Sequence, residues 1–213
     1  MIKIKRFECN MIQENCYVVS DDSHEAVVID CGAYYAAERK AVTDYIDHEQ
    51  LTVVHLLCTH GHFDHCFGND TIWHHCGTLP KIPAGDEWLS DISLQMEQMM
   101  GIPYDGEVTP IGQYYSPKDY FTFGSHKLTV LHTPGHTPGS SCFYCAEENV
   151  LFTGDTLFRL SIGRTDFPRG SWSDMQNSLT TVLAKLPTET VVMPGHGPQT
   201  TIADELQMNP YMR

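Results

Sequence analysis

The sequence has few basic residues and no long apolar run. Lys and Arg together number 13 against 27 Asp and Glu, so the formal net charge of the 213-residue chain is −14. A nucleic acid or an anionic membrane surface is bound through a basic protein surface, so this balance argues against both kinds of partner. No stretch approaches about 18 consecutive apolar residues, and we therefore predict no transmembrane helix.

The sequence also lacks a recognisable secretory signal. Lys3, Lys5 and Arg6 interrupt the first apolar residues, and no apolar segment with a small-residue cleavage site follows them. Without export, the eight cysteines are expected to be reduced, buried thiols, and the chain is expected in the cytoplasm. Cys142 and Cys145 form a C-x-x-C pair, but they lie in a strand-like run that points them to opposite faces, which argues against a redox pair.

The composition, with 41% hydrophobic and 19% charged residues, is that of a globular protein, and the length suits one domain over residues 1–213. Residues 101–119 show no periodicity and are predicted to form an irregular surface excursion, in which Tyr114 and Tyr115 either line the mouth of a site or pack on the surface. Strands are predicted at 2–7, 16–20, 25–30, 53–58, 127–132, 141–145, 150–153 and 190–193, and helices at 35–48, 64–76, 86–100, 173–185 and from 201 onward. This order predicts an α/β protein in which two sheets pack together with helices outside.

Histidine is nearly as abundant as Lys and Arg together. Of the 12 His, five lie with two Asp in four short loops, each directly after a predicted strand. Gly and Pro fix tight turns in these loops, so the side chains there are held stiffly. The residues are His60, His62, Asp64 and His65 in the first loop, and His136, Asp155 and His196 in the other three. Imidazoles and carboxylates placed at four strand ends predict a metal site.

Seven donors exceed what one ion needs and suit two. A catalytic zinc takes about three or four protein ligands and keeps an open position. We therefore predict two divalent ions with Asp155 between them; imidazole and carboxylate ligands favour Zn²⁺ and also accept Fe²⁺ or Mn²⁺. Cys66, next to His65, is expected to pack nearby without binding metal. Ordinary surface or packing roles are expected for the other histidines, which are His24, His48, His55, His74, His75, His126 and His132.

The pattern T-H-x-H-x-D-H at residues 59–65, followed in order by His136, Asp155 and His196, resembles the metallo-β-lactamase superfamily. The resemblance extends over nearly the whole chain and implies the αββα sandwich of that superfamily. It also implies a ligand set for each ion. One ion would be bound by His60, His62 and His136 and the other by Asp64, His65 and His196, with Asp155 bridging them.

Further runs are similar to the glyoxalase II branch of this superfamily, in particular to its short single-domain bacterial members. These runs are G-D-T-L-F at 154–158, S-I-G-R-T-D-F-P-R-G at 161–170, and P-G-H-G-P at 194–198 with N-P at 209–210. Longer members carry a C-terminal helical domain that helps to bind glutathione. The sequence ends soon after His196, so we do not expect that domain here.

The glyoxalase II resemblance implies that a hydroxide held between two metal ions hydrolyses a thioester such as a hydroxyacylglutathione. The ions would lower the pKa of water and offset the charge of the oxyanion, and Asp64 would bind the second ion and orient the hydroxide. A thiol has a pKa of about 8.5, so a thiolate leaves near neutral pH without prior protonation. An amide nitrogen would need a proton donor, and we therefore expect a thioester substrate.

A local basic loop indicates the charge of the substrate. Arg159, Arg164 and Arg169 lie within a short segment of an otherwise acidic chain. We predict that Arg164 and Arg169 contact a small anionic thioester. The alternative is a solvated or internally paired loop, in which Arg164 bonds Asp166 or the scaffold.

Other reactions on the same fold remain open. Persulfide dioxygenases also carry a G-R-T-D-F run and use one iron, which here would take His60, His136 and Asp155. A β-lactamase fits less well, because the sequence shows no export signal. A non-catalytic binding module would not need a complete set of metal ligands. The nuclease branch is disfavoured by the acidic charge. The sequence does not indicate an oligomeric state.

Overall fold

Two six-stranded sheets carry most of the strands in this computed structural model, which describes residues 1–101, 103–104 and 106–212. The first sheet has the order β1-β2-β3-β4-β5-β6. Its first three strands pair antiparallel, and β4, β5 and β6 extend it in parallel. The bounds are β1 Lys3–Cys9, β2 Glu14–Ser20, β3 Glu25–Ile29, β4 Thr52–Leu57, β5 Pro80–Pro83 and β6 Gln113–Tyr115.

The second sheet has the order β14-β13-β10-β9-β8-β7. All its pairs are antiparallel except β10 with β13, which run parallel. Its strands are β7 Tyr120–Phe123, β8 His126–His132, β9 Ser141–Cys145, β10 Val150–Gly154, β13 Val191–Pro194 and β14 Thr200–Thr201. A separate two-stranded hairpin pairs β11 Leu157–Phe158 with β12 Ser161–Ile162.

Helices cover the outer face of each sheet. The α-helices are α1 Ala36–His48, α2 Asn69–Cys76, α3 Ile92–Met100, α4 Trp172–Asn177 and α5 Ile202–Met208. Shorter 3₁₀ turns span Phe63–His65, Ala84–Leu89 and Leu183–Lys185, and a π-helical turn spans Ser178–Val182. None of the helices in the described chain has the length and apolar character that a membrane span requires.

Alternation of side chains along the strands divides the core into layers. In β2, Tyr17 and Val19 join a cluster between the two sheets, and Cys16 and Val18 join a cluster beneath α1 and α2. The outer face of the second sheet packs on the helical turns from α4 onward. Because successive strand residues point to opposite faces, each sheet buries both of its faces. The resulting order of layers confirms the predicted αββα sandwich.

The C-x-x-C pair lies as predicted on opposite faces of β9. Cys142 belongs to the cluster under the helices, and Cys145 belongs to the cluster between the sheets. All eight cysteines are free thiols. The two thiols therefore lie on opposite sides of the sheet, where they do not face each other as a redox pair would.

The predicted strands and helices are present, with corrections to three helices. The helix predicted at 64–76 is a 3₁₀ turn followed by α2. The helix predicted at 86–100 is likewise broken, because the Asp91 carboxylate caps a new helix by accepting bonds from Ser93 N and Leu94 N. The helix predicted at 173–185 passes from α4 into π and 3₁₀ turns.

The sequence analysis missed several short strands. The segment 101–119, predicted to be irregular, contains the edge strand β6, while its positions 102 and 105 lie outside the described residues. Strand β5 was missed as well, because it is only four residues long and both begins and ends with Pro. Such strands are too short for periodicity to reveal, and they form by pairing with a neighbouring strand.

A half-buried histidine of β4 makes the stability of this fold depend on pH. His55 Nδ1 accepts a hydrogen bond from Lys81 Nζ at 2.7 Å, which requires a neutral imidazole. Burial, together with the charge of Lys81, lowers the pKa of His55 from 6.5 to about 4. Between these pH values the unfolded chain binds a proton at this position and the folded chain does not, so stability falls as the pH falls from 6.5 to 4.

We expect His55→Gln to remove this part of the pH dependence. One pKa unit corresponds to about 1.4 kcal/mol, and partial exposure reduces the effect to about 1–2 kcal/mol. The measurement is the free energy of urea unfolding at several pH values from 4 to 7. His48→Gln, at an exposed position, is the control and should keep the wild-type slope. Equal slopes for His55→Gln and the wild type would contradict the prediction.

Candidate metal centre

Four loops bring the seven predicted donors to one edge of the sandwich. The loop after β4 carries His60, His62, Asp64 and His65, and the loops after β8, β10 and β13 carry His136, Asp155 and His196. Backbone hydrogen bonds join the two sheets at this edge. Ser141 N of β9 donates to Thr59 O after β4 at 3.0 Å, and Asn15 N of β2 donates to Gly195 O after β13 at 2.7 Å.

Three imidazoles form the first donor cluster. The donor atoms of His60, His62 and His136 all lie within 4.8 Å of one another. His62 Nδ1 lies 2.9 Å from His136 Nε2. All three residues are buried. A single ion placed among these atoms would have three imidazole ligands.

A carboxylate and two imidazoles form the second cluster beside it. The donor atoms of Asp64, His65 and His196 also lie within 4.8 Å of one another. Asp64 Oδ2 lies 3.4 Å from His196 Nε2 and 3.5 Å from His65 Nε2. This cluster therefore carries a negative charge that the first cluster lacks.

Asp155 lies between the two clusters and contacts both. Its Oδ2 is 3.5 Å from His136 Nε2 in the first cluster. Its Oδ1 is 3.3 Å from His65 Nε2 and 3.6 Å from His196 Nε2 in the second. One carboxylate oxygen thus faces each cluster, which is the position predicted for a bridging ligand.

The imidazoles of the first cluster that show a pKa shift are held neutral. Burial, reinforced by neighbouring histidines, lowers the pKa of His60 well below its usual value. Burial and the nearby His136 lower the pKa of His62 to about 3. Neutral imidazole is the form that binds metal, so this environment favours ligation.

The second cluster attracts positive charge. Burial lowers the pKa of His65 and His196, but the carboxylates of Asp64 and Asp155 outweigh it and raise both values. The same attraction lowers the pKa of Asp64 and Asp155 against the opposing effect of burial. A proton or a metal cation is therefore favoured beside these two carboxylates.

Three donor atoms at the centre are buried without a hydrogen-bond partner among the described residues. They are His60 Nε2, His65 Nε2 and Asp155 Oδ1. An unsatisfied buried polar atom costs about 1–3 kcal/mol, and native structures contain few of them. Divalent cations would satisfy all three atoms, and the mixture of imidazole and carboxylate suits zinc, iron or manganese. The residues present therefore fit two ions.

Backbone carbonyls orient two of the rings. His136 Nδ1 donates to Arg164 O at 2.7 Å, and His196 Nδ1 donates to Ile12 O at 3.2 Å. Each bond holds the ring proton on Nδ1, so the unprotonated Nε2 faces the centre.

Two acidic residues outside the predicted set lie behind His65. Asp30 accepts hydrogen bonds from Thr59 N at 2.6 Å and Thr59 Oγ1 at 2.8 Å, and its Oδ2 is 3.1 Å from His65 Nδ1. Glu14 Oε1 is 3.9 Å from the same ring nitrogen, and burial raises the pKa of Glu14 despite the opposing effect of His65. Sequence analysis missed both, because they lie far from the metal motifs along the chain.

Asp86 is a third acidic residue that sequence analysis missed. Its Oδ2 accepts hydrogen bonds from Gly61 N at 3.0 Å and Thr137 Oγ1 at 2.7 Å, and its Oδ1 accepts one from Gly139 N at 2.8 Å. It is fully buried, and burial raises its pKa. This single carboxylate connects the loop after β4 to the loop after β8. Nothing in the local sequence distinguishes Asp86 from its exposed neighbour Glu87.

A cavity of about 530 Å³ opens above the two clusters. Five of the seven predicted donors line it, and these are His62, Asp64, His136, Asp155 and His196. Arg164 lines it too, while its guanidinium is paired with Asp166 at 2.8 Å.

The other candidates for substrate contact lie elsewhere. Arg169 is not among the residues that line the cavity, and its guanidinium lies over the ring of Trp88 at 4.7 Å. Arg159 borders a different depression beside β14. Tyr115 is buried and donates a hydrogen bond to Cys58 O at 2.7 Å, and Tyr114 is exposed away from the cavity. The geometry therefore does not support substrate contacts from Arg169 or from either tyrosine.

The other seven histidines lie outside the two donor clusters and their immediate surroundings in the described chain. Each has an ordinary polar contact. The contacts are His24 with Glu49 O, His48 with Glu49, His55 with Lys81, His74 with Glu107, His75 with Asp47, His126 with Asp21 and Glu148, and His132 with Pro138 O.

The sequence pattern of the metallo-beta-lactamase superfamily matches residues 10–196 of this chain. The chain is also similar to the hydroxyacylglutathione hydrolase GloC of Haemophilus influenzae. The two are 33% identical over 201 residues, which cover 94% of this chain and 93% of GloC.

Three solved structures are similar over nearly all of the chain. BLEG-1 B3 metallo-beta-lactamase has a TM-score of 0.90 and 32% identity, with 99% of both chains covered. TTHA1623 in a di-iron-bound form has a TM-score of 0.84 and 31% identity, with 97% of this chain and 99% of that chain covered. ETHE1 from Myxococcus xanthus has a TM-score of 0.77 and 26% identity, with 98% of this chain and 83% of that chain covered.

We expect Asp86→Ala to weaken both folding and metal binding. The substitution leaves three donors without their acceptor, at a cost of about 1–3 kcal/mol for each that stays buried. Loosening the two loops that carry His60, His62 and His136 should lower zinc affinity about tenfold or more. The measurements are urea unfolding and competition with a chromophoric chelator.

Glu87→Ala, which alters the adjacent exposed carboxylate, is the matched control and should behave like the wild type. Wild-type zinc affinity in Asp86→Ala would show that the loops are held in place without this carboxylate.

Proposed function

The chain belongs to the metallo-β-lactamase superfamily and is a metal-dependent hydrolase, and we propose that it hydrolyses thioesters of the hydroxyacylglutathione type. The observation that carries the proposal is the pair of adjacent donor clusters with Asp155 between them. The similarity to GloC, whose name states this activity, supports the choice of substrate class.

We propose two zinc ions as the cofactor, one at each cluster. When bound, such ions lower the pKa of water and offset the negative charge that develops on the carbonyl oxygen. His60, His62 and His136 would hold one ion, Asp64, His65 and His196 the other, and Asp155 both. Iron is the alternative at the same donors, and TTHA1623 was solved in a di-iron-bound form.

The residues of this chain would position water and the thioester. Hydrolysis forms a bond between the water oxygen and the carbonyl carbon, and it breaks the C–S bond to release a carboxylate and a thiol. Asp64 lines the cavity and would orient the attacking water through a carboxylate oxygen. The thiol has a pKa of about 8.5, so it leaves as a thiolate without a protonated side chain beside it.

A thioester is favoured over an amide because the described cavity wall has no free side chain that could act as a general acid. In the described part of the cavity wall, every histidine and carboxylate belongs to one of the two donor clusters, except Asp155, which lies between them. None of them is then free to protonate an amide nitrogen as it leaves. The likeness to BLEG-1, named as a B3 metallo-beta-lactamase, makes a β-lactam the necessary comparison substrate.

A second candidate function is oxidation of a persulfide at a single iron. Asp155 lies 3.5 Å from His136, so His60, His136 and Asp155 would provide two imidazoles and one carboxylate. Against this, Asp64, His65 and His196 form a further complete cluster that a single iron does not use. The second cluster therefore favours hydrolysis.

We expect the purified protein to contain two metal equivalents and to hydrolyse S-D-lactoylglutathione. Removing the metal with a chelator should lower the rate about a thousandfold or more, because several kcal/mol of transition-state stabilisation is lost, and added Zn²⁺ should restore it. The measurements are elemental analysis and loss of thioester absorbance, with a β-lactam assayed in parallel.

His60→Ala and His196→Ala should each lower both metal content and rate. His48→Ala, which changes an exposed histidine far from the clusters, is the control. One equivalent of iron, with thiol-dependent oxygen uptake and no hydrolysis, would contradict the proposal and support the second candidate.

A further inference from the structure

We propose that the cavity above the two clusters selects thioesters with an apolar acyl group larger than a short hydroxyacyl, and that no positive charge of the cavity wall binds the thiol portion. This inference rests on the thioester hydrolysis of the proposed function, and it revises one part of that proposal, namely the acyl group that the site prefers. Two observations support the proposal. Most residues that line the cavity outside the donor clusters are apolar, and Arg164, the only cation among the described lining residues, is paired with Asp166.

One wall of the cavity is formed by α3 and the residue that follows His62. Met99 and Met100 end α3, line the cavity and remain 38% and 41% exposed. Phe63 lies beside them in the lining and is itself buried. Methionine side chains are flexible and polarisable, so they adapt to apolar groups of different shapes.

A second part of the wall is apolar as well. Phe158 and Ile162 come from the small β11–β12 hairpin. The ring of Phe158 lies 5.8 Å from that of His196, and the ring of Phe167 lies 5.4 Å from that of His62. An aromatic side chain thus borders each donor cluster. A substituent on either side of a carbonyl placed between the clusters would meet an apolar surface.

The only cation that lines the described cavity is already paired. Arg164 bonds both oxygens of Asp166, each at 2.8 Å, and its guanidinium lies 4.2 Å from the centre of the Phe167 ring. This pairing lowers the pKa of Asp166 to about 2, so Asp166 stays ionised near neutral pH. The Arg164–Asp166 pair carries no net charge, so it attracts a substrate carboxylate less than an unpaired arginine would, and only the donors that Asp166 leaves unused could bind one.

The cavity wall also offers few hydrogen-bonding groups to a hydroxyacyl substituent. Among the described lining residues outside the donor clusters, the only side-chain hydroxyl belongs to Ser161. A hydroxyacyl substituent placed against the methionines and phenylalanines would lose hydrogen bonds to water, whereas an alkyl or aryl substituent would gain apolar contact.

The first test is a series of glutathione thioesters that differ only in the acyl group. We expect kcat/KM of the zinc-loaded protein to rise about two- to fourfold for each methylene added, because a fully buried methylene contributes about 0.8 kcal/mol and this wall is partly exposed. From S-acetyl through S-butyryl to S-hexanoyl, the rise should be about tenfold or more, and S-hexanoyl should exceed S-lactoyl. A flat or falling series would overturn the proposal.

The second test separates acyl preference from recognition of the thiol. S-hexanoyl-N-acetylcysteamine carries the same acyl group on a neutral thiol without carboxylates. We expect its kcat/KM to lie within about threefold of the value for S-hexanoylglutathione, because Arg164 is paired. A large preference for the glutathione thioester would show that a cation of the site binds its carboxylates, and would overturn that part of the proposal.

Variants of α3 locate the preference on the proposed wall. The double variant Met99→Gln/Met100→Gln should lower the ratio of hexanoyl to acetyl kcat/KM about fivefold or more, because amides replace apolar contacts at both positions. Leu94→Gln is the matched control, since Leu94 is an exposed apolar residue of the same helix that does not line the cavity. An unchanged ratio in the double variant, or an equal loss in Leu94→Gln, would contradict the assignment to this wall.

A binding measurement distinguishes failure of this inference from failure of the proposed function. The zinc-loaded protein, labelled at its methionine methyl groups, is titrated with the neutral thioether S-hexyl-N-acetylcysteamine and observed by NMR. We expect two methyl resonances to shift, namely those absent from the double variant. The S-methyl analogue should shift them much less.

If the methyl resonances shift but no thioester is hydrolysed, the apolar preference stands and the proposed reaction fails. If thioesters are hydrolysed without dependence on acyl length and the resonances do not move, the proposed reaction stands and this inference fails.

Discussion

The position of one largely buried carboxylate between two donor clusters fixes the arrangement of the whole site. Asp155 faces His136 through one oxygen and both His65 and His196 through the other. Burying a carboxylate is costly unless positive charge compensates it. The surrounding imidazoles, and the divalent cations that we propose for them, provide that charge, which explains how an acidic protein can still bind a substrate that develops negative charge.

The scaffold meets this constraint by holding loops from both sheets in close contact. Gly154 ends β10 with φ 47°, and a Cβ at this position would collide with the Thr59 side chain, so Gly lets the two loops approach. Thr59 is held in turn by the Asp30 carboxylate, and Asp86 connects Gly61 to the loop that carries His136. These two buried acids connect the loops of the candidate metal centre, although neither lines the cavity.

The proposed reactivity and the proposed substrate preference depend on different parts of the chain. The donors lie in loops that follow strands of the two central sheets, whereas much of the apolar wall is contributed by α3 and the β11–β12 hairpin outside those sheets. Substitutions in these outer elements can alter the wall without moving a donor. This separation is consistent with one fold that supports several reactions among related proteins.

Two packed sheets with helices outside and the seven candidate donors could be predicted from the sequence, because alternating apolar runs and the spacing of His and Asp after strands are local patterns. The other features of the site arise from tertiary contacts. Asp30, Glu14 and Asp86 approach the centre through contacts between residues far apart in sequence. The direction in which an arginine side chain points likewise depends on the residue that it contacts. Arg164 and Arg169 are equally basic in the sequence, but Asp166 pairs with the first and Trp88 stacks on the second. A side chain's role follows from its packed neighbours, which no local pattern specifies.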